Sequence, residues 1–172
     1  MLLSFSDSLL SSVVLSGTEQ AWSVAQSADL YGLERWGEPY FSINAKGHVV
    51  VQPRGDRGGS LDLVELLQGL KARDLSTPIL IRFDDILEDR LERLHAAFDR
   101  AIAHYAYDAS YQGVFPIKCN QQRHVVEHLV DRGNRWNFGL EAGSKAELLI
   151  ALSLTKNPLS LIHISEPTRR NS

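Results

Sequence analysis

A single lysine, Lys118, follows the short apolar run Val114-Phe-Pro-Ile117, where an ammonium group is costly unless it is paired or deprotonated. The neutral amine is the form that attacks a carbonyl, so a desolvated lysine at a strand end is a candidate for covalent attachment to an aldehyde. The same lysine can also be read as a side chain that has left the strand and snorkels into water. Glu141 closes the next apolar run and brings a carboxylate to a second strand end; read by itself it is a solvated loop acid. His124-Val-Val-Glu-His128 fits the H-x-x-E-H pattern of inverted zinc peptidases and puts two imidazoles one helical turn apart. Zinc hydrolysis also needs a third ligand and an open water position, and no neighbouring residue supplies them. Cys119 alternates away from Lys118 and reads as a small core residue. His48, His95, His104 and His163 stand alone, with structural or surface roles as the default.

The elements that would position these groups follow from periodicity. Tyr111 to Cys119 reads as a strand carrying Lys118, although Pro116 removes a ladder donor and suggests that the strand is locally irregular. A helix from Gln121 to Arg132 buries Val125, Val126 and Leu129 and stops at Gly133. Trp136 to Glu141 is the next strand, and Ser144-Lys-Ala-Glu147 is a capping box opening a further helix. Upstream, Ile79 to Phe83 has the composition of a strand buried on both faces. Asp84 or Asp85 then caps a long helix with Leu87, Leu91, Leu94, Phe98, Ala101, Ile102 and Tyr105 on one side and Glu88, Asp89, Arg93 and Arg100 on the other. Strand and helix alternating at this spacing predict parallel βα units.

The region before Pro78 reads differently. Thr18 caps a helix to Tyr31 with Gly32 as its stop, and residues 1–17 are Ser-rich and unassigned. Tyr40 to Ile43 and His48 to Val51 predict a hairpin around the turn Asn44-Ala-Lys-Gly47. Arg54 to Gly59 is a flexible linker, and Ser60 caps a helix to Arg73 with a buried stripe of Leu63, Leu66, Leu67 and Leu70.

Composition narrows the class. The chain has 172 residues, 44% of them apolar, and a formal net charge of -3, which argues against a nucleic-acid footprint. No apolar run approaches the ~20 residues needed to span a bilayer, so no membrane partner is expected. A single cysteine excludes an internal disulfide and makes the cytoplasm the default compartment.

Phe115-Pro-Ile-Lys-Cys-Asn-Gln121 followed by Phe138-Gly-Leu-Glu-Ala-Gly-Ser-Lys-Ala-Glu147 resembles the second and third barrel strands of the fold-type III pyridoxal-phosphate decarboxylases, which act on ornithine, diaminopimelate or arginine. Trp36-Gly-Glu-Pro-Tyr-Phe-Ser-Ile-Asn-Ala-Lys-Gly-His48 extends the resemblance towards the biosynthetic arginine decarboxylases, and the match runs from about Trp22 to Leu154. It implies an α/β fold: the first ~three βα units of a pyridoxal-phosphate-binding (β/α)8 barrel of the alanine-racemase type, truncated and preceded by a helix and β-hairpin segment. A complete barrel needs ~200 residues or more. The implied division is an N-terminal α/β segment over residues 18–77 and the start of the barrel over 78–156. In this family the lysine matching Lys118 holds pyridoxal 5'-phosphate, which assigns it catalytic and cofactor-binding roles. Glu141 matches an acidic position beside that lysine and the cofactor. Ser144 and Glu147 read as capping residues, although Glu147 also matches an acidic family position. The family's catalytic cysteine belongs to the C-terminal domain of a neighbouring subunit, so Cys119 is not its counterpart.

The resemblance implies conversion of L-arginine to agmatine and carbon dioxide in polyamine (spermidine) synthesis by a homodimer or homotetramer that also uses Mg2+, whose ligands have no match here. The fragment alone is expected to be inactive. The alternatives are an ornithine or diaminopimelate decarboxylase, a non-catalytic pyridoxal-phosphate-binding barrel protein, and, most distantly, the zinc hydrolase. Finally, Ser160-Leu-Ile-His-Ile-Ser-Glu-Pro-Thr-Arg169 resembles a translated sequencing adapter. Residues 157–172 are therefore read as a non-native tail with no approach to a fourth strand.

Overall fold

A computed structural model describes residues 21–165, which form two three-stranded sheets with helices packed against them. The first helix, α1 (Val24–Leu30), is shorter than periodicity suggested. Ser23 caps it through a reciprocal box in which Ser23 Oγ accepts from the Gln26 N–H and the Gln26 side chain accepts from the Ser23 N–H. Thr18 lies outside the described residues. Gly32, at φ 59°, takes the left-handed conformation that lets a second short helix, α2 (Leu33–Trp36), start at once.

The hairpin forms as antiparallel β1 (Phe41–Ile43) and β2 (Val49–Val51). Its turn closes through the Gly47 N–H to the Asn44 carbonyl at 2.9 Å, with Gly47 at φ 78°. Periodicity did not show the third strand of this sheet, β3 (Leu61–Asp62), which pairs with β2. Asp62 rather than Ser60 therefore caps α3 (Leu63–Lys71), accepting from the Val64 and Glu65 N–H groups at 2.9 and 3.2 Å. No leucine of α3 is fully buried, and Leu67 is exposed. The stripe at 63, 66, 67 and 70 lies on a surface helix rather than in a core.

Two further expectations fail between Pro78 and Tyr105. Ile79 to Phe83 joins no ladder, and only alternate residues are half-buried, with Leu80 exposed. In α4 (Asp84–His104) the capping position belongs to Phe83, with Asp84 and Asp85 in the first turn, where their charge suits the helix dipole. Its buried residues are Asp89, Leu91 and His95, whereas Leu94, Phe98 and Tyr105 are exposed. Asp89 was expected on the polar face. It is drawn inside by Tyr40, Arg57 and Arg93, which hydrogen-bond to it.

The second sheet is parallel, in the order β4 (Val114–Pro116), β5 (Gly139–Ala142) and β6 (Ile162–Ile164). Helix α5 (Arg123–Gly133) joins β4 to β5, and α6 (Lys145–Leu154) joins β5 to β6. Pro116 is tolerated because β4 is an edge strand, so the missing donor faces no neighbour. Strand β6 corrects the expectation that residues after Asn157 make no strand. All four residues of β5 are buried, as a central parallel strand requires. The core beneath it joins Ile117, Val126, Val130, Leu140, Ala151 and Leu154. A second cluster, Leu91, Val125, Leu129 and Phe138, fastens α4 to α5. At about 1.5–3 kcal/mol per fully buried aliphatic side chain, these two clusters hold β4, β5 and the turns at their carboxyl ends in place. No helix among the described residues is long and apolar enough to cross a membrane.

Candidate active site

The carboxyl ends of β4 and β5 lie side by side because the strands are parallel, and Pro116 stands opposite Glu141 in their register. After Pro116 the backbone leaves the strand in a single 3-10 turn, Ile117–Cys119, closed by the Asn120 N–H to the Ile117 carbonyl at 3.1 Å. Strict alternation is lost in this turn, so the expected parity of residues 117–119 does not hold. Ile117 points into the core with no exposure, while Lys118 and Cys119 both turn outward. Cys119 is thus an exposed thiol and not a core residue. The Lys118 side chain is 57% exposed, so its amine is not desolvated by the apolar run that precedes it.

That amine has a defined neighbour. Lys118 Nζ lies 3.8 Å from Glu141 Oε1, and the Glu141 side chain is only 10% exposed. Glu141 is neither a solvated nor a loop carboxylate: it belongs to the buried central strand. Burying an acid there is costly unless its oxygens are engaged. The lysine amine and the hydroxyl of Ser165, which donates, both meet the carboxylate at Oε1. Below Lys118, Asn120 Oδ1 accepts from the Gln122 N–H at 2.9 Å, and the Gln122 side chain accepts from the Arg82 guanidinium. Ser144 caps α6 by accepting from the Glu147 N–H at 3.2 Å, while Glu147 Oε2 accepts from the Gly143 N–H at 2.7 Å.

The H-x-x-E-H residues do not assemble a metal centre. His124 is exposed, Glu127 is paired with Arg123 at 3.5 Å, and among the described residues no three His, Cys, Asp or Glu side chains gather to hold an ion. Sequence reading missed a different polar cluster, the one around Asp89. Tyr40 donates to its carboxylate at 2.7 Å and Arg93 at 2.5 Å, and Arg57 donates as well. Burial would raise the Asp89 pKa, but these three donors outweigh it and hold the group at about 2. The Arg54 to Gly59 segment is therefore no free linker: Arg54 also pairs with Asp85 and Glu88, and Arg57 with Glu92. The spacing of Asp89 and Arg93 at i and i+4 was the one signal in the sequence.

Known proteins resembling this chain agree closely. A biosynthetic arginine decarboxylase of Synechococcus sp. (strain RCC307) is 73% identical over 144 residues, covering 84% of this chain and 22% of that protein. One from Nostoc sp. (strain PCC 7120) is 62% identical over 143 residues, covering 83% of this chain and 21% of that protein. Residues 88–172 match the family described as the pyridoxal-binding domain of pyridoxal-dependent decarboxylases. The chain belongs to the pyridoxal-dependent decarboxylases. A crystal structure from the same family, the biosynthetic arginine decarboxylase of Campylobacter jejuni, superposes with a TM-score of 0.71 at 29% identity, over 81% of this chain and 23% of that one. The chain spans about a fifth of the length of the curated relatives it matches.

Proposed function

We propose that this chain supplies the cofactor-holding amine, Lys118, and its partner carboxylate, Glu141, to a pyridoxal-phosphate site in a larger enzyme that converts L-arginine to agmatine and carbon dioxide for polyamine synthesis. One observation carries the reading. In a chain 73% identical to an arginine decarboxylase, one amine and one buried carboxylate meet 3.8 Å apart at the carboxyl end of a parallel sheet. Barrel enzymes place their reacting groups at that end.

The residues present fit the amine-reactive part of such a site. Lys118 is exposed enough for a carbonyl carbon to reach Nζ, and its 3-10 turn is anchored from below by Ile117. Glu141, fixed in the central strand, is placed to hold a proton at Nζ or to take one from it, and the rigid strand keeps that distance short. Bound there, pyridoxal phosphate would supply the electron sink for loss of carbon dioxide.

The same proposal takes residues 78–156 as the start of a (β/α)8 barrel after an N-terminal segment, with 157–172 as a non-native tail. For the parent enzyme it takes a cytoplasmic homodimer or homotetramer that uses magnesium. The barrel, the assembly and the magnesium rest on the family resemblance and the tail on its likeness to a sequencing adapter; Lys118 and Glu141 lie outside the tail, although its Ser165 donates to Glu141 Oε1.

The test is to recover the full-length gene and assay its product for carbon dioxide release from arginine, ornithine and diaminopimelate, with Lys118→Ala beside it. Borohydride reduction of the loaded enzyme followed by peptide mapping should place the cofactor on Lys118. Release from arginine that Lys118→Ala abolishes is the expected result, and an adduct on another lysine overturns the assignment.

A further inference from the structure

Glu141 is the only residue of β5 with a charged side chain, and the turn that follows it, Ala142-Gly143-Ser144, leads directly into α6. A carboxylate is as well placed as the backbone that carries it. The turn is held on one side by Glu147, whose Oε2 accepts the Gly143 N–H at 2.7 Å, and on the other by Ser144 Oγ, which accepts the Glu147 N–H at 3.2 Å. In an ordinary capping box the acid reaches back to the amide of the capping residue itself. Here it reaches one residue further, to Gly143, which lies between the two carboxylates. A Cβ built on Gly143 would stand 3.5 Å from Glu147 Oε2 and 3.9 Å from Glu141 Oε1.

We infer that Glu147 is a positioning residue. By clamping the Gly143 amide it fixes the end of β5 so that the Glu141 carboxylate faces the Lys118 amine. The inference rests on the proposed function and assigns Glu147 no contact with substrate or cofactor. Its carboxylate is occupied by a backbone donor. A geometric role predicts that acceptor capacity at residue 147 matters and negative charge does not.

The experiment uses the full-length holoenzyme and reads kcat, KM for arginine and Tm for Glu147→Ala, Glu147→Gln, Glu141→Gln and the double variant Glu141→Gln/Glu147→Ala. A hydrogen bond of this kind corresponds to at most roughly a tenfold effect. Glu147→Ala should therefore lower kcat by up to about tenfold and leave KM within about twofold. Glu147→Gln, whose amide oxygen can still accept from Gly143, should recover most of that loss. In the Glu141→Gln background, Glu147→Ala should cost little more, because its effect passes through Glu141.

Losses that multiply in the double variant overturn the inference, as does a Glu147→Gln variant as impaired as Glu147→Ala. A fall in Tm with kcat unchanged reduces Glu147 to a helix cap. Borohydride mapping on the same variants keeps the two readings apart. An adduct that persists on Lys118 leaves the proposed function standing even if the Glu147 inference fails.

Discussion

Pro116 pairs with Glu141 across the parallel strands β4 and β5, and two residues later Lys118 brings its amine to 3.8 Å from that same carboxylate. Ile117, with no exposure, is the pin between them. Replacing it with Val should cost the full-length enzyme about 0.5–1.5 kcal/mol, and replacing it with Ala about 2–5 kcal/mol. Because the pin sets the turn that aims Lys118, kcat should fall in the same order. Denaturant unfolding beside steady-state kinetics checks both.

Asp89 ties the N-terminal hairpin to α4. Tyr40→Phe removes one donor and should destabilise by about 1–2 kcal/mol, the range for a bond to a charged acceptor that retains other partners. Asp89→Ala should cost about 3 kcal/mol, the lower end for splitting a buried pair. Arg57 and Arg93 are 51% and 40% exposed, so each can turn to water once the carboxylate is gone. Urea unfolding of the full-length variants gives these differences.

Acid should loosen the same region in a defined window. Asp89 is held at about 2, because the donors from Tyr40, Arg93 and Arg57 overcome the upward push of burial. Asp62 is likewise held at about 2, with burial opposed by hydrogen bonds from His48, the Glu65 and Val64 N–H groups and Asn44. Both folded values lie below the ordinary 3.8, so their contribution is fully present above about pH 4 and is lost as pH falls towards 2. Unfolding free energy followed across that interval should drop more steeply in the unmodified protein than in Asp89→Asn, which has no carboxylate left to titrate.

Gly133 ends α5 against the ring that closes the second core cluster. A Cβ there would stand 2.6 Å from the Phe138 Cβ, an atom fixed by its own backbone that no rotamer change can move aside. Gly133→Ala should therefore cost about 1–3 kcal/mol as overpacking. Unfolding of the variant beside Phe138→Ala, which opens a cavity in the same cluster, checks the assignment.

The isolated chain should associate. Leu80, Leu149 and Leu152 are exposed, and β4 and β6 are open edges of the parallel sheet. Size-exclusion chromatography should show aggregates or a broad, loosely packed species. A soluble monomer with one sharp melting transition would contradict this.

Sequence alone determined the residues that can do chemistry, and it placed helices α5 and α6 and the β1–β2 hairpin within a few positions. Periodicity, caps and turn chemistry are local properties, and the Phe115 to Gln121 and Phe138 to Glu147 motifs carried the family. It did not determine how buried those residues are. Lys118 was expected to be desolvated and is exposed, Cys119 was expected inside and is outside, and Asp89 was expected in water and is buried. Each error has the same physical origin. A one-turn 3-10 segment reverses the alternation after Pro116, and Arg57, 32 residues before Asp89, joins Arg93 in neutralising its charge. Such outcomes depend on partners distant in the chain. Only the folded arrangement sets the 3.8 Å between amine and carboxylate on which the proposed chemistry depends.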